Sequence, residues 1–110
     1  MIKEISWAPD YCITDSGEVL SSKGKNLRVL MPDYTTGYPR VTIAGKKKYI
    51  ADLVAEYFLP KPANDCYKIF YIDGDKTNCF ASNLVWLSPS EIKRYSQYTV
   101  EYRKQILGEW

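Results

Sequence analysis

The residues with the greatest chemical capacity crowd into one short run. Asp73 and Asp75 flank Gly74, Lys76, Thr77 and Asn78 follow, and Ser82 and Asn83 stand close behind. Two carboxylates at that spacing can share a hard cation through oxygen. The same residue types also make a tight turn, because glycine takes positive φ and Asp and Asn side chains bond nearby backbone groups. Without further donors converging from elsewhere, turn-holding is the stronger reading. The 110-residue chain contains no histidine, so no imidazole is available as a general base near neutral pH. Tyr71, just ahead of the run, is a phenol with a free pKa near about 10 and stays protonated at neutral pH.

The cysteines offer little more. Cys12, Cys66 and Cys79 are odd in number and lack Cys-x-x-Cys spacing. A structural zinc site needs four thiolate or imidazole ligands, and no histidine can complete such a set. Reduced, partly buried thiols are expected, with no metal and no cofactor.

These residues must be positioned by a small sheet-first, helix-later domain. The length suits one domain over 1–110, and 45% hydrophobic with 25% charged residues is ordinary for a globular protein. Tyr11 to Thr14 reads as a strand, Asp15-Ser16-Gly17 as its turn, and Val19-Leu20 as the start of the return strand. Leu27 to Met31, Arg40 to Ala44 and Lys47 to Ile50 continue an N-terminal antiparallel sheet over 7–50. Leu53, Val54, Tyr57 and Phe58 then keep helical apolar spacing until Pro60. Tyr67 to Tyr71 and the residues around Asn83 to Trp86 read as two strands flanking the polar run. Ser88-Pro89-Ser90-Glu91 has the form of a capping box with proline at the first helical position, opening a helix that runs to Tyr95 or Tyr98. Helical turns over Thr99 to Leu107 belong to a C-terminal tail over 99–110. The fold class is α+β, with the core of interest over 51–98.

The run Tyr71-Ile72-Asp73-Gly74-Asp75-Lys76-Thr77-Asn78, followed by Ser82-Asn83-Leu84-Val85-Trp86, resembles the core of the phage-type HNH homing endonucleases. In that pattern a His-x-Asp-Gly-Asn-Lys-x-Asn-Asn run leads into Asn-Leu-x-Trp. Upstream, Tyr11, Ile13, Thr14, Asp15, Gly17, Val19 and Ser21 match the nuclease-associated modular domain of the same proteins, and Gly37, Tyr38, Val41 and Ile43 match a further hairpin. The resemblance spans roughly residues 7 to 95. It implies a ββα-metal motif, but one lacking its metal site. Tyr71 stands where the resemblance places the base histidine, Ala51 where it places a second histidine, and Phe70 and Ile92 where it places the two metal ligands. Neither a phenyl ring nor a butyl chain holds a cation. The expectation is a degenerate nuclease that is not an enzyme.

Charge bears on partners. From Lys23 to Lys48 the basic residues Lys23, Lys25, Arg28, Arg40, Lys46, Lys47 and Lys48 face a single acid, Asp33. With Lys76 they are the candidates for weak, salt-sensitive contact with a DNA or RNA backbone. On charge alone, a solvated hairpin tip that protects a sheet edge is the favoured account of Lys46 to Lys48. The net charge of only +2 is modest for a dedicated DNA binder. Ten tyrosines and three tryptophans fill sheet faces, or supply an interaction surface, where such residues are favoured. Two functions follow: an inactive nuclease-like protein that binds nucleic acid as an accessory or regulatory factor, or a protein-binding inhibitor of a host enzyme or defence system, anti-CRISPR-like, on the same scaffold. The resemblance also implies a phage or mobile-element origin and a cytoplasmic site in a bacterial host. No apolar stretch approaches the roughly 18 residues of a membrane span. The family's usual helical arm and helix-turn-helix find no counterpart before Trp110, so sequence selection is expected to be poor.

Overall fold

Alternation of buried and exposed residues sets the first sheet. In the computed structural model, which describes residues 1–22, 27–62 and 64–107, four antiparallel strands lie in chain order: β1 (Ile2–Ile5), β2 (Ala8–Thr14), β3 (Val19–Ser21) and β4 (Arg28–Val29). Ile5, Ala8, Ile13 and Val19 turn inward, while Pro9, Asp10 and Glu18 stay in water. β5 (Arg40–Ile43) and β6 (Lys46–Tyr49) form a separate hairpin whose turn places both Ala44 and Gly45 at positive φ, the type I′ geometry that matches strand twist.

The N-terminal sheet therefore differs in two ways from the expected span of 7–50. It begins at Ile2, on a strand whose exposed Ile2, Lys3 and Glu4 carry no signature of burial. It also ends at β4, because among the described residues an isolated bridge, Asp33 with Arg40, is what links the chain leading from it to the β5–β6 hairpin.

Helix α1 (Ile50–Phe58) follows β6 directly and is the centre of the main core. Ile50, Leu53 and Val54 pack with Ile5, Ile13 and Val19 of the sheet, Val41 and Ile43 of β5, and Leu84 beyond. Burying so many large aliphatic side chains, each contributing roughly 1.5–3 kcal/mol, fastens the three sheets to one helix. Leu59 N–H closes the last turn on Ala55 O, and Pro60 ends the helix.

The second hairpin, β7 (Lys68–Tyr71) with β8 (Leu84–Leu87), pairs Phe70 with Val85 and Tyr71 with Leu84. A single 3-10 turn, Ala81–Asn83, leads into β8. The expected capping box opens α2 (Pro89–Tyr95): Glu91 N–H donates to Ser88 Oγ, and Ser88 N–H donates to Glu91 Oε1 at 3.0 Å. α3 (Val100–Leu107) returns over the hairpin, where Leu107 joins Phe70, Ile72 and Leu87 in a second apolar cluster. The β2–β3 turn docks on this half of the molecule. Asp15 O accepts from Ala81 N–H at 2.7 Å, and a Cβ on Gly17, whose φ is +86°, would lie 3.0 Å from Cys79 Cβ. Glycine is required there by both conformation and space.

Candidate nucleic-acid interface and the Tyr71 cleft

The polar run is held by its own side chains. Asn83 is buried, donates from Nδ2 to Asp73 Oδ1 at 2.9 Å and to Asn78 O at 3.0 Å, and accepts the Asp73 N–H on its Oδ1. Asn78 Nδ2 donates to the other Asp73 oxygen at 2.8 Å, and Asp75 N–H donates to Asp73 Oδ1. Desolvation opposes ionisation of Asp73, but these bonds from Asn78, Asp75 and Asn83 outweigh it and hold the carboxyl below its ordinary value. Asp75 accepts from the N–H and hydroxyl of Thr77. Both carboxylates are thus committed to fixing the loop.

Tyr71 faces a different environment. Its ring lies 6.1 Å from that of Tyr38, which in turn meets Tyr49 edge-on at 6.2 Å. Together with Trp86, Asp52 and Lys68 they line an open cleft of about 410 Å³ whose wall also includes Ala51. Burial pushes the Tyr71 phenol well above its ordinary value, and Cys79, Tyr38 and Asp52 add to the shift. A hydroxyl so held is protonated at neutral pH and can donate a hydrogen bond, but it cannot take a proton from water.

One residue earlier, strand alternation points Phe70 to the opposite face of the ribbon. Phe70, Ile72, Leu87 and Leu107 are buried together, with Val85, Ile92 and Tyr95 packed against them. Arg103, from α3, lays its guanidinium 5.4 Å from the Phe70 ring centre and donates to Ile72 O at 3.2 Å. The two positions at which the HNH resemblance expects a divalent metal's ligands therefore meet in hydrocarbon beside a fixed cation. A hard cation needs oxygen donors, and these residues do not fit one. Among the described residues no group of three or more His, Cys, Asp and Glu side chains is placed to hold a metal ion.

The basic candidates do not gather into one patch. Lys23 and Lys25 lie outside the described residues. Lys46 and Lys48 share one face of β6 and reach over the Trp7 ring, at 6.0 and 5.4 Å from its centre. Lys47, paired with Thr42, falls on the other face because successive strand residues alternate. Arg40 is tied to Asp33 by a 2.9 Å ion pair, and the hydroxyl and N–H of Thr35 together with Arg40 hold the Asp33 carboxyl well below the usual range. Its charge is already answered. Arg28 is exposed on β4. Lys76 lies 5.3 Å over the Tyr38 ring at the cleft.

Tyr49, Trp86, Lys68 and Arg103 are not singled out by the sequence as site residues. Their abundance as tyrosines and lysines was visible, but no spacing in the sequence joins positions brought together by β5, β6, β7 and β8. No helix among the described residues is long and apolar enough to cross a membrane.

No family model matches the chain, and no curated protein matches it. Among solved structures it is similar to one described as "DNA binding and cleavage by the HNH homing endonuclease I-HmuI", with a TM-score of 0.68 and 26% sequence identity, over 96% of this chain and 65% of that one. The chain thus spans less than two thirds of that endonuclease, and over this span it carries an HNH-like α+β fold.

Proposed function

We propose that this chain is a catalytically inactive HNH-nuclease-like protein that binds a DNA or RNA backbone and acts as an accessory or regulatory factor. The observation that carries the proposal is the apolar cluster in which Phe70 and Ile92 pack with Leu107. In-line hydrolysis of a phosphodiester by a single bound metal needs a cation at the leaving oxygen and a base for the water. Phe70 and Ile92 supply no donor for the first, and the protonated Tyr71 phenol supplies no base for the second. Nucleic-acid affinity is supported by the fold shared with a protein described as binding and cleaving DNA, and by Lys46, Lys47, Lys48 and Lys76 on the surface. Their dispersal over different faces favours few simultaneous phosphate contacts. A phage or mobile-element origin and a cytoplasmic site belong to the same proposal.

Duplex DNA titrated against salt tests it. The expected result is weak binding in the roughly 10⁻⁴–10⁻⁶ M range that falls as salt rises. Plasmid incubated with Mg²⁺ or Mn²⁺ is expected to stay intact, and cleavage abolished by Asp73→Ala would overturn the inactive assignment. Absence of duplex affinity at low salt, with a stoichiometric protein recovered from nuclease-treated lysate, would replace this function by the protein-binding inhibitor.

A further inference from the structure

We propose that the cleft walled by Tyr38, Tyr49, Tyr71 and Trp86 binds an unpaired nucleotide, with its base against the aromatic rings and its phosphate near Lys76. It deepens the nucleic-acid function, on which it rests, by naming a recognition chemistry that backbone contact alone does not include.

Four features point to this ligand. Tyr38 and Tyr49 each expose 38% of their surface although they sit among the packed elements, so their rings meet solvent at the cleft rather than the core. The cleft's volume of about 410 Å³ lies within the range of small-ligand sites. Aromatic faces of this kind stack unpaired bases with little regard to sequence, contributing roughly 1–3 kcal/mol per base. The charges then select among ligands with an apolar ring. Among the described residues Asp52 is the acid lining the cleft, with the charge of Lys48 acting on it, against Lys68 on the wall and Lys76 over Tyr38. A cationic guest would be repelled by Lys76 over Tyr38 and by Lys68 on the wall. A nucleotide instead satisfies both parts: the phosphate meets Lys76, and amino or imino N–H groups on the base edge meet the Asp52 carboxylate. The Tyr71 hydroxyl, held protonated, adds a donor for a base carbonyl or ring nitrogen.

Duplex DNA cannot enter such a site without unstacking, which separates this inference from the broader function. The test compares a single-stranded oligonucleotide, a duplex of equal length and AMP, each followed by NMR shifts of the Trp86 indole N–H and of the tyrosine rings. The single strand is expected to bind at least about tenfold more tightly than the duplex, with Tyr49→Ala removing roughly tenfold and Tyr49→Trp restoring it. AMP is expected to shift the same resonances; equal affinity for AMP and oligonucleotide would identify a free nucleotide as the source, and a much tighter oligonucleotide would identify a strand. Duplex binding with no response of Trp86 or the tyrosines to either single-stranded probe overturns the cleft and leaves the broader function standing. No affinity for any of the three overturns both. Should Tyr49→Ala fail to fold, the wild-type response to AMP decides the matter by itself.

Discussion

The two faces of the β7–β8 ribbon are made from neighbouring residues and end in opposite surroundings. Ile69 and Tyr71, with Leu84 and Trp86 across the ladder, look towards α1 and the cleft; Phe70 and Ile72, with Val85 and Leu87, are closed under α2 and α3. Strand alternation alone makes this division. It parts two positions that the HNH pattern uses together. The base position keeps a hydroxyl beside solvent, whereas the metal-ligand positions are hydrocarbon in a closed cluster. Substitutions on the open face should change what binds, and substitutions on the closed face should change whether the chain folds.

The largest expected effect follows from forcing the open face's polarity onto the closed one. Phe70→Asp removes a buried aromatic and places a carboxylate among Ile72, Leu87 and Leu107, at a cost of about 4 kcal/mol or more. Tyr71→Phe, one residue away, keeps the ring and gives up only a hydroxyl at the cleft, for about 1 kcal/mol or less. Urea denaturation of the two variants measures the contrast directly. Equal midpoints would dissolve the distinction between the faces.

Asn83→Ala attacks the joint where both faces meet the polar loop. The side chain is buried, and its loss leaves the Asp73 N–H without its acceptor and Asn78 O without its donor. Unsatisfied buried groups cost about 1–3 kcal/mol each, so the expected loss is roughly 3 kcal/mol in chemical denaturation. A loss below about 1 kcal/mol would mean that water replaces the side chain and that the loop is held elsewhere.

Much of this architecture was legible because its signals are local. The Ser88–Glu91 box, the helical spacing from Leu53 to Phe58 before Pro60, and the turn chemistry of Asp73 to Asn78 each lie within a few residues of what they determine. β1 was not legible, since Ile5 alone of its residues is buried and a charged pair, Lys3 and Glu4, precedes it. The basic residues from Lys23 to Lys48 are grouped by charge counted along the chain; the pairing of Lys47 with Thr42 shows how strand alternation parts it from Lys46 and Lys48. The cleft escaped because residues 38, 49, 71 and 86 meet only through tertiary packing. Arg103 escaped for the same reason, reaching Ile72 O across 31 positions.

Arg103 is also the next way to sharpen the comparison, since it caps the closed face with a charge. Its guanidinium covers the Phe70 ring and donates to Ile72 O, while Nε donates to Tyr98 O. Arg103→Met keeps most of the apolar stem and loses the bonds and the cation, for about 1–2 kcal/mol in thermal unfolding. Arg103→Lys should recover little of it, because an ammonium cannot lie flat on the ring and reach both carbonyls. Full recovery by lysine would show that charge alone closes the cluster.

The smallest effect is one of pH; beside the share carried by Asp33 with Thr35 and Arg40, the share carried by Asp73 belongs to the polar loop rather than to either apolar surface. Asp73 resists desolvation through its bonds from Asn78, Asp75 and Asn83, so its carboxyl ionises at lower pH in the folded chain than in the unfolded one. Between those two values the unfolded chain binds more protons. The stabilisation is therefore complete above the unfolded value of about 3.9 and disappears as pH falls through the lower, folded value. The fall in urea midpoint between about pH 6 and about pH 3 should shrink in Asp73→Asn, which carries no titrating carboxyl. The same fall should persist in Phe70→Leu, where the closed face is trimmed and the loop network is untouched. If both variants lost it equally, the acid response would lie in the packing of the ribbon instead of in the hydrogen bonds that fix its loop.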